Sequence, residues 1–484
     1  MQNSKQTKKS EQTLVDKLSK ELSLKQLFSY GFGSIIGVGW MTVLGYWLAS
    51  AGPVGAMLAF FVGGGLILFI ALCYGELAVD YPVAGAELTY LHEVFGLKAG
   101  FIVGWLMILN YTGVVIFVFV SLGWLLEALL PTLTGPVLYS FAGSDISLGG
   151  LLISLLCAVV IAYLNMKGAK GSGAFQQIVT YGLIAITVVF ATLATINGSA
   201  ENFEPLLGDI APPSPLVGFF AILITTPFWF GGFNIIPQGM SEKKAESPAK
   251  AIRTVLIVAI VSSTIFYMVV VFAASIAMPR EELLQAGLPV QAAVTAATGS
   301  EWGGRLVVIA GLCGLVTSWN AFVYGGSRML FALGRAEVVF PFFGHLNEKS
   351  HTPRRAVLFI TLLGIIGGLF GKAAILPIVD TGGIVFGLAY FLVCLALLKK
   401  RLSVPKGSGE NRHLKLPIMG VIFSTFIIGS AIYFTFANSA RLIPFEFMVL
   451  LIWLTIGVIG FVMGRNRKNI LSSEERRARL LADL

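Results

Sequence analysis

Charge is what this sequence has least of. Of its 484 residues only 12% are Asp, Glu, Lys or Arg, about half the share found in an ordinary soluble domain. Polar linkers of the kind that divide a chain this long into soluble domains are missing as well. Histidine and cysteine number four each. His92, His345, His351 and His413 fall in polar gaps, so they offer neither a metal site nor a proton relay across an apolar layer. Cys73, Cys157, Cys313 and Cys394 lie inside apolar runs without paired spacing, which implies neither a disulfide nor a metal and leaves no outer-loop cysteine for a disulfide-linked accessory subunit. A P-loop, paired cysteine ligands and an HExxH helix are absent, and Gly31-x-Gly33 lacks the GxGxxG spacing of a dinucleotide site. Neither an enzyme nor a bound cofactor is expected.

What fills the chain is apolar surface, 56% of the residues. It is arranged in continuous runs of about 20 residues, the length of a helix that crosses a bilayer. The fold class read from this pattern is an all-α membrane protein with twelve transmembrane helices, at 25–50, 54–79, 99–130, 148–166, 175–196, 214–240, 252–278, 304–332, 356–372, 374–397, 415–437 and 443–464. Residues 1–24 read as a polar N-terminal tail with no cleavable apolar segment, and 465–484 as a C-terminal tail. The alternating Arg and Glu of that last segment suit a solvated helix or a short amphipathic helix on the anionic inner leaflet.

The net charge of +9 would raise the question of nucleic acid in a soluble protein. Here the cations sit in the gaps between apolar runs, and they segregate. With twelve spans, thirty of the 34 Lys and Arg fall on one side and only Arg280, Arg305, Lys372 and Arg441 on the other. Positive charge resists translocation, so both termini are expected in the cytosol, the protein multi-pass in the plasma membrane, and the lipid bilayer, not nucleic acid, its macromolecular surroundings.

Two spans carry helix-weakening clusters near their middles. In the first the run is Gly31-Phe32-Gly33-Ser34-Ile35-Ile36-Gly37-Val38-Gly39-Trp40; in the sixth it is Thr226-Pro227-Phe228-Trp229-Phe230-Gly231-Gly232-Phe233-Asn234. Such glycines can serve close helix packing. The other reading is a pair of interrupted helices, tolerated at membrane depth only where the freed backbone lines a cavity or site. Because five spans separate the two clusters and five is odd, a repeated five-helix unit would enter the membrane from the opposite face, giving an inverted repeat over 25–196 and 214–397 followed by two further helices over 415–464. Half helices starting near Gly39 and Phe233 would turn amides toward the midplane, and those ending near Ile36 and Phe230 would turn carbonyls there. A site with both kinds of terminus suits a zwitterion.

At these residues the chain resembles the amino acid/polyamine/organocation (APC) permease superfamily, whose members share the leucine-transporter-like five-plus-five inverted repeat. Ser34-Ile35-Ile36-Gly37-Val38-Gly39 resembles the glycine-rich break of helix 1. Glu76-Leu77 with Tyr81-Pro82-Val83-Ala84-Gly85-Ala86 resembles the family's ELA and P-x-A-G-G at the end of helix 2. Ser327-Arg328-Met329-Leu330-Phe331-Ala332-Leu333-Gly334-Arg335 and the following His351-Thr352-Pro353 resemble the stretch after helix 8. The resemblance implies a secondary active transporter moving a small amino acid by alternating access, coupled to H+ or Na+ or working by exchange. It implies that Ser34, Ile35, Gly37, Val38 and Gly39 hold the carboxylate, that Phe230, Gly231 and Phe233 offer carbonyls to the amino group, and that Trp229 is an aromatic gate. Val38 replaces the hydroxyl usual between the two glycines, removing one hydrogen bond worth about 1 kcal/mol. Helix 5, Phe175-Gln176-Gln177-Ile178-Val179-Thr180-Tyr181-Gly182, lacks the lysine of the proton-coupled branch. Thr317-Ser318 resembles the hydroxyl pair of sodium-coupled relatives, or else bonds back to its own helix.

The remaining polar residues at depth are few. Asp380 lies about one and a half turns inside the tenth span, placed to contact an amine, bind the coupling ion, carry a proton or cap a shortened helix. Asn110 and Asn320 either line the same cavity or make helix contacts. Glu76, Asp80, Glu87 and Glu93 are expected to be solvated interface charges, and Glu127 similar. Within this fold the alternatives are an amine or polyamine carrier, with Asp380 as the carboxylate, and a non-transporting receptor or channel.

Overall fold

Wherever an apolar run must cross lipid, each backbone N–H and C=O has to be paired within its own segment, and the α-helix does this. A computed structural model of the chain describes residues 18–207, 215–405, 413–437, 444–465 and 471–483. Most of the expected N-terminal tail and the outer-loop Arg441 lie outside the described residues. The helices are α1 (Leu24–Ile35), α2 (Gly39–Thr42), α3 (Leu44–Asp80), α4 (Ala86–Phe95), α5 (Leu97–Leu129), α6 (Leu148–Lys167), α7 (Ala169–Asn197), α8 (Pro215–Leu223), α9 (Thr226–Trp229) and α10 (Ile235–Gln238). They continue as α11 (Ala251–Ala277), α12 (Arg280–Gln285), α13 (Pro289–Thr298), α14 (Glu301–Arg335), α15 (Arg354–Gly368), α16 (Ile375–Leu402), α17 (Lys415–Ala437), α18 (Phe445–Arg465) and α19 (Ser473–Leu480).

Among the described residues nine helices are long and apolar enough to cross a membrane, lying in α3, α5, α6, α7, α11, α14, α16, α17 and α18. The other three expected segments differ for physical reasons. The first and sixth are interrupted, and α15 has 15 residues, about 22 Å at 1.5 Å per residue against a hydrocarbon core of about 30 Å. The division expected between the first two spans falls inside α3, where Gly52 takes φ 69° ahead of Pro53 and kinks the helix. One element was not foreseen at all. Strands β1 (Val137–Phe141) and β2 (Ser144–Ser147) form a hairpin whose two-residue turn puts Ala142 and Gly143 at φ 45° and 79°, the positive-φ pair that matches the strand twist.

The burial pattern is inverted relative to a soluble protein. Ile178 is 74% exposed, whereas Asn165, Asn234, Gln238 and Asn320 are fully buried, so lipid meets the apolar flanks and the polar groups face one another. The first half helix α1 sits among α7, α11 and α14. Outer helix α18 is pinned to α5 by Trp105 and Trp453, whose rings stack 4.6 Å apart and whose indole N–H groups each donate to the other's carbonyl at 2.7 and 2.8 Å.

The motif after the eighth expected span helps to anchor the two interrupted spans. Leu22 donates to the Glu242 carbonyl and accepts from Lys244, at 2.8 and 2.9 Å, so the segments entering α1 and leaving α10 are stitched together. Glu242 in turn takes two bonds from Arg328 of α14, Nε at 2.9 Å and a terminal nitrogen at 3.0 Å, with both side chains fully buried. Tyr324 donates to the same carboxylate, and its ring lies 3.9 Å beneath the guanidinium. Helix α19 also departs from expectation, since it docks on protein. Asp483 pairs with Arg335 at 2.8 Å, Arg477 with Glu93 at 2.7 Å and Arg479 with Glu337 at 2.7 Å, and Leu480 is buried.

Removing one partner of a buried ion pair strands the other charge, which costs about 3–5 kcal/mol, while replacing both with apolar groups of similar volume is close to neutral. Glu242→Ala is therefore expected to lower the thermal unfolding midpoint of the purified protein sharply, and the double variant Glu242→Leu/Arg328→Met to recover most of it.

Candidate functional site

The two glycine clusters are interruptions in the structure. Helix α1 stops at Ile35 and α2 begins at Gly39; helix α9 stops at Trp229 and α10 begins at Ile235. Proline and glycine account for the second gap: Pro227 opens α9, and Gly232 takes φ 118°, a conformation closed to most side chains. Space is equally restrictive, since a Cβ on Gly232 would stand 2.6 Å from the Ser34 hydroxyl.

Three hydroxyls tie the gaps to each other and to the helices around them. Ser34 donates to the Gly31 carbonyl at 2.8 Å and to the Gly232 carbonyl at 2.9 Å, joining the first interruption to the second. Tyr267, from the middle of α11, reaches the last carbonyl on each side, Ile35 at 3.2 Å and Trp229 at 3.0 Å. Ser318 of α14 donates to Gly33 at 3.0 Å and Ser34 at 3.3 Å. The amides of Val38, Gly39 and Trp40, and those of Gly232, Phe233 and Asn234, have no backbone acceptor among the described residues, as befits the first turn of a helix.

Between the gaps lies a cavity of about 50 Å³, room for a few water molecules. Ser34, Ile35, Gly37, Val38, Gly39, Trp229, Gly231 and Ser318 line it, so most of the sequence-derived candidates converge. The Trp229 ring lies against Gly39, and its indole N–H donates to Thr225 at 3.0 Å. The rings of Phe230 and Phe233 are fully buried away from it, against Tyr267 and between Tyr74 and Tyr390 respectively. The rest of the wall is largely apolar and went unrecognised in the sequence: Val114, Phe117 and Val118 from α5, Phe228 from α9, Leu315 and Phe322 from α14, and Phe386 from α16. Tyr267 was missed as well, because a lone tyrosine inside an apolar run carries no local signal.

Four candidates stand elsewhere. Asn320 belongs to a buried network, accepting from Asn165 at 2.8 Å and Ser172 at 2.9 Å and donating to Gln176 at 2.8 Å. Thr317 bonds back to the Cys313 and Gly314 carbonyls of its own helix. Asn110 lines a second cavity, of about 410 Å³, near the end of α16. Asp380 is half-buried with Glu446 of α18 as its charged neighbour.

The carboxylates expected at the interface divide. Asp80 is half-exposed beside Lys400. Glu87 contradicts the expectation: it is fully buried. Helix α4 turns it beneath the second interruption, where its two oxygens accept from Asn234 Nδ2 at 2.9 Å and Gln238 Nε2 at 2.7 Å. Asn234 also donates to the Tyr111 hydroxyl at 2.7 Å, and Gln238 Oε1 accepts from the Gly85 amide at 3.1 Å. Burial pushes the Glu87 carboxyl up to about 7 from its ordinary 4.5, with the amide donors of Asn234 and Gln238 opposing that rise.

Against known proteins, the family model described as "Amino acid permease" matches residues 22–461. The branched-chain amino acid permease BcaP of Bacillus subtilis (strain 168) is 27% identical, over 96% of this chain and 98% of its own length. A branched-chain amino acid permease BcaP of Lactococcus lactis subsp. cremoris (strain MG1363) is 26% identical over 92% and 95%. The methylthioribose transporter of B. subtilis is 22% identical over 94% and 95%.

A carboxyl that binds its proton more tightly when folded stabilises the fold below its ordinary value and loses that contribution as pH rises through its folded value. For Glu87 the window is pH 4.5 to about 7, and the loss amounts to roughly 3 kcal/mol. Thermal unfolding of the purified protein as a function of pH is expected to show this decline, and Glu87→Gln to flatten it.

Proposed function

The chain belongs to the amino acid permease family, and we propose that it is a secondary transporter moving a small amino acid with an apolar side chain across the plasma membrane. It is a multi-pass membrane protein whose relatives transport small molecules. In this reading the chain crosses the membrane twelve times as an inverted repeat plus two helices, with both termini cytosolic, and works by alternating access. The observation that carries it is the pair of interrupted helices facing one cavity, with unpaired amides and an uncharged wall.

The substrate carboxylate meets the amides of Val38 and Gly39, and its ammonium meets the carbonyls of Phe230, Gly231 and Phe233. Ser34 supports the carboxylate only as a bridge, since its proton already serves Gly31 and Gly232. Val114, Phe117, Phe228, Phe322 and Phe386 favour an aliphatic side chain, in keeping with the two branched-chain permeases. An amine or polyamine carrier is less well supported, because no carboxylate lines the cavity among the described residues and Asp380 is not on its wall. The cavity is too small for an amino acid, which fits a closed state that must open to load. A gradient of H+ or Na+, or exchange, drives the cycle. Ser318 fills the Gly33 and Ser34 carbonyls with its own proton, which weighs against a sodium ion there.

Proteoliposomes loaded with isoleucine, valine, alanine, serine, arginine or putrescine test this through counterflow. Exchange of the aliphatic amino acids supports the reading; exchange of arginine or putrescine alone overturns it. A receptor would bind without exchange, and a channel would show no saturable counterflow. A side chain on Gly39 would be driven into the Trp229 ring, so Gly39→Leu is expected to abolish uptake while the protein remains folded in the membrane. Tyr267→Phe removes two hydrogen bonds of about 1 kcal/mol each and is expected to slow uptake by about thirtyfold.

A further inference from the structure

Helix α15 is too short for its neighbour. It packs along α6, and Thr352, just ahead of it, donates to the Met166 carbonyl at 3.0 Å, so α15 starts level with the end of α6. From that common level α6 extends over 20 residues and α15 over 15, about 30 Å against about 22 Å. The first length matches the hydrocarbon core, and the second stops about 8 Å below its far boundary.

The β1 and β2 hairpin stands in that shortfall. Tyr139 donates its hydroxyl at 2.6 Å to the carbonyl of Leu369, the residue after α15. The ring of Phe141 packs on that of Phe370, centres 5.2 Å apart, and a Cβ on Gly371 would lie 3.2 Å from the side chains of Ser144 and Ile146. A carbonyl left over by a helix that ends at depth needs a donor, and Tyr139 supplies it.

The hairpin has two unlike faces. Tyr139 pairs with Ile146 and Phe141 with Ser144, and these four turn toward the end of α15. Between them Ser140 pairs with Asp145 on the opposite, exposed face, where the serine hydroxyl donates to the carboxylate. Ile146 and Ser144 are buried, whereas Tyr139 and Phe141 remain exposed. Their exposed surface prolongs a stripe of Leu358, Leu362 and Ile366 on α15, which Phe370 continues past the helix end; a spacing of four keeps such residues on one face. A sheet of two strands leaves an unpaired edge on each, which hydrocarbon does not accept, so the hairpin backbone belongs at headgroup level with its aromatic face below it.

We propose that this hairpin is a membrane-interface anchor whose partner is phospholipid. Tyr139 and Phe141 rest on the acyl chains around the end of α15, Ser140 and Asp145 face water, and the hairpin completes the crossing that α15 leaves unfinished. Continuity with the apolar flank of α15 commits the rings to lipid, and a tyrosine with its hydroxyl paired suits that boundary. The anchor is independent of what is transported.

The test places a nitroxide at Phe141→Cys or Asp145→Cys in the full chain, in phosphatidylglycerol and phosphatidylcholine vesicles. Cys157→Ala and Cys313→Ala clear the background, since Cys73 and Cys394 are buried. Oxygen, which concentrates in hydrocarbon, and a water-soluble nickel chelate report what each label meets. The label at 141 is expected to meet oxygen in preference to nickel, at a depth of about 5–10 Å into the headgroup and acyl boundary, and the label at 145 to show the reverse order. Preference for nickel at both positions overturns the proposal. So does spin broadening at 141 that dilution with unlabelled protein removes, which would make the face a contact between two copies. If the labelled variants do not fold, hydroxyl-radical footprinting of the unmodified protein at one copy per vesicle decides: protection of Tyr139 and Phe141 supports the anchor, and their oxidation at the rate of the unfolded chain defeats it.

Discussion

A backbone carbonyl or amide at membrane depth must find a partner, and every helix interruption creates several that the i to i−4 ladder no longer serves. The arrangement of α1, α2, α9 and α10 follows from that one constraint. Ser34 reaches from the first interruption to the Gly232 carbonyl of the second, and Tyr267 closes over the final carbonyl on each side. Ser34 bonds one interruption directly to the other, and α11 and α14 supply the remaining hydroxyl partners through Tyr267 and Ser318. The bonds that make two broken helices tolerable also make them one unit, and the cavity is the space this unit leaves against α5, α14 and α16.

Glycine is indispensable here through space as much as through dihedral freedom. At Gly232 both demands coincide, a positive φ and the Ser34 hydroxyl within bonding reach. At Gly39 the backbone is ordinary and the Trp229 ring alone excludes a side chain. The fold therefore seats the Trp229 ring there only by keeping one residue bare.

Two buried carboxylates on the same side of the cavity illustrate how partner type sets behaviour in a low dielectric. Glu242 faces a guanidinium and a tyrosine hydroxyl, and the three together lock the segment after α10 to α14. Glu87 faces amides and tyrosines, so its charge is stabilised less than burial penalises it. The first is a fixed joint; the second is a carboxyl that burial pushes up to about 7. Both were invisible as a contrast in the sequence, in which Glu87 and Glu242 are equally placed in short polar gaps between apolar runs.

Whatever depends on distance along the chain was readable beforehand. Run length marks most of the helices, the glycine clusters mark both interruptions to within a few residues, and of the eight proposed site residues that meet at one cavity seven come from the broken segments, where neighbours arrive together. Convergence of residues far apart in the chain was not readable. Asn320 and Ser318 are two positions apart on α14, yet one enters a network with α6 and α7 and the other caps the first interruption, a difference set by helix rotation and not by composition. Tyr267, Phe117 and Phe386 gained their place at the cavity only when α11, α5 and α16 packed around it. Hydropathy is local and additive, so it dictates membrane insertion and helix; a binding surface is a matter of which faces meet, and those faces are chosen by packing across the whole bundle.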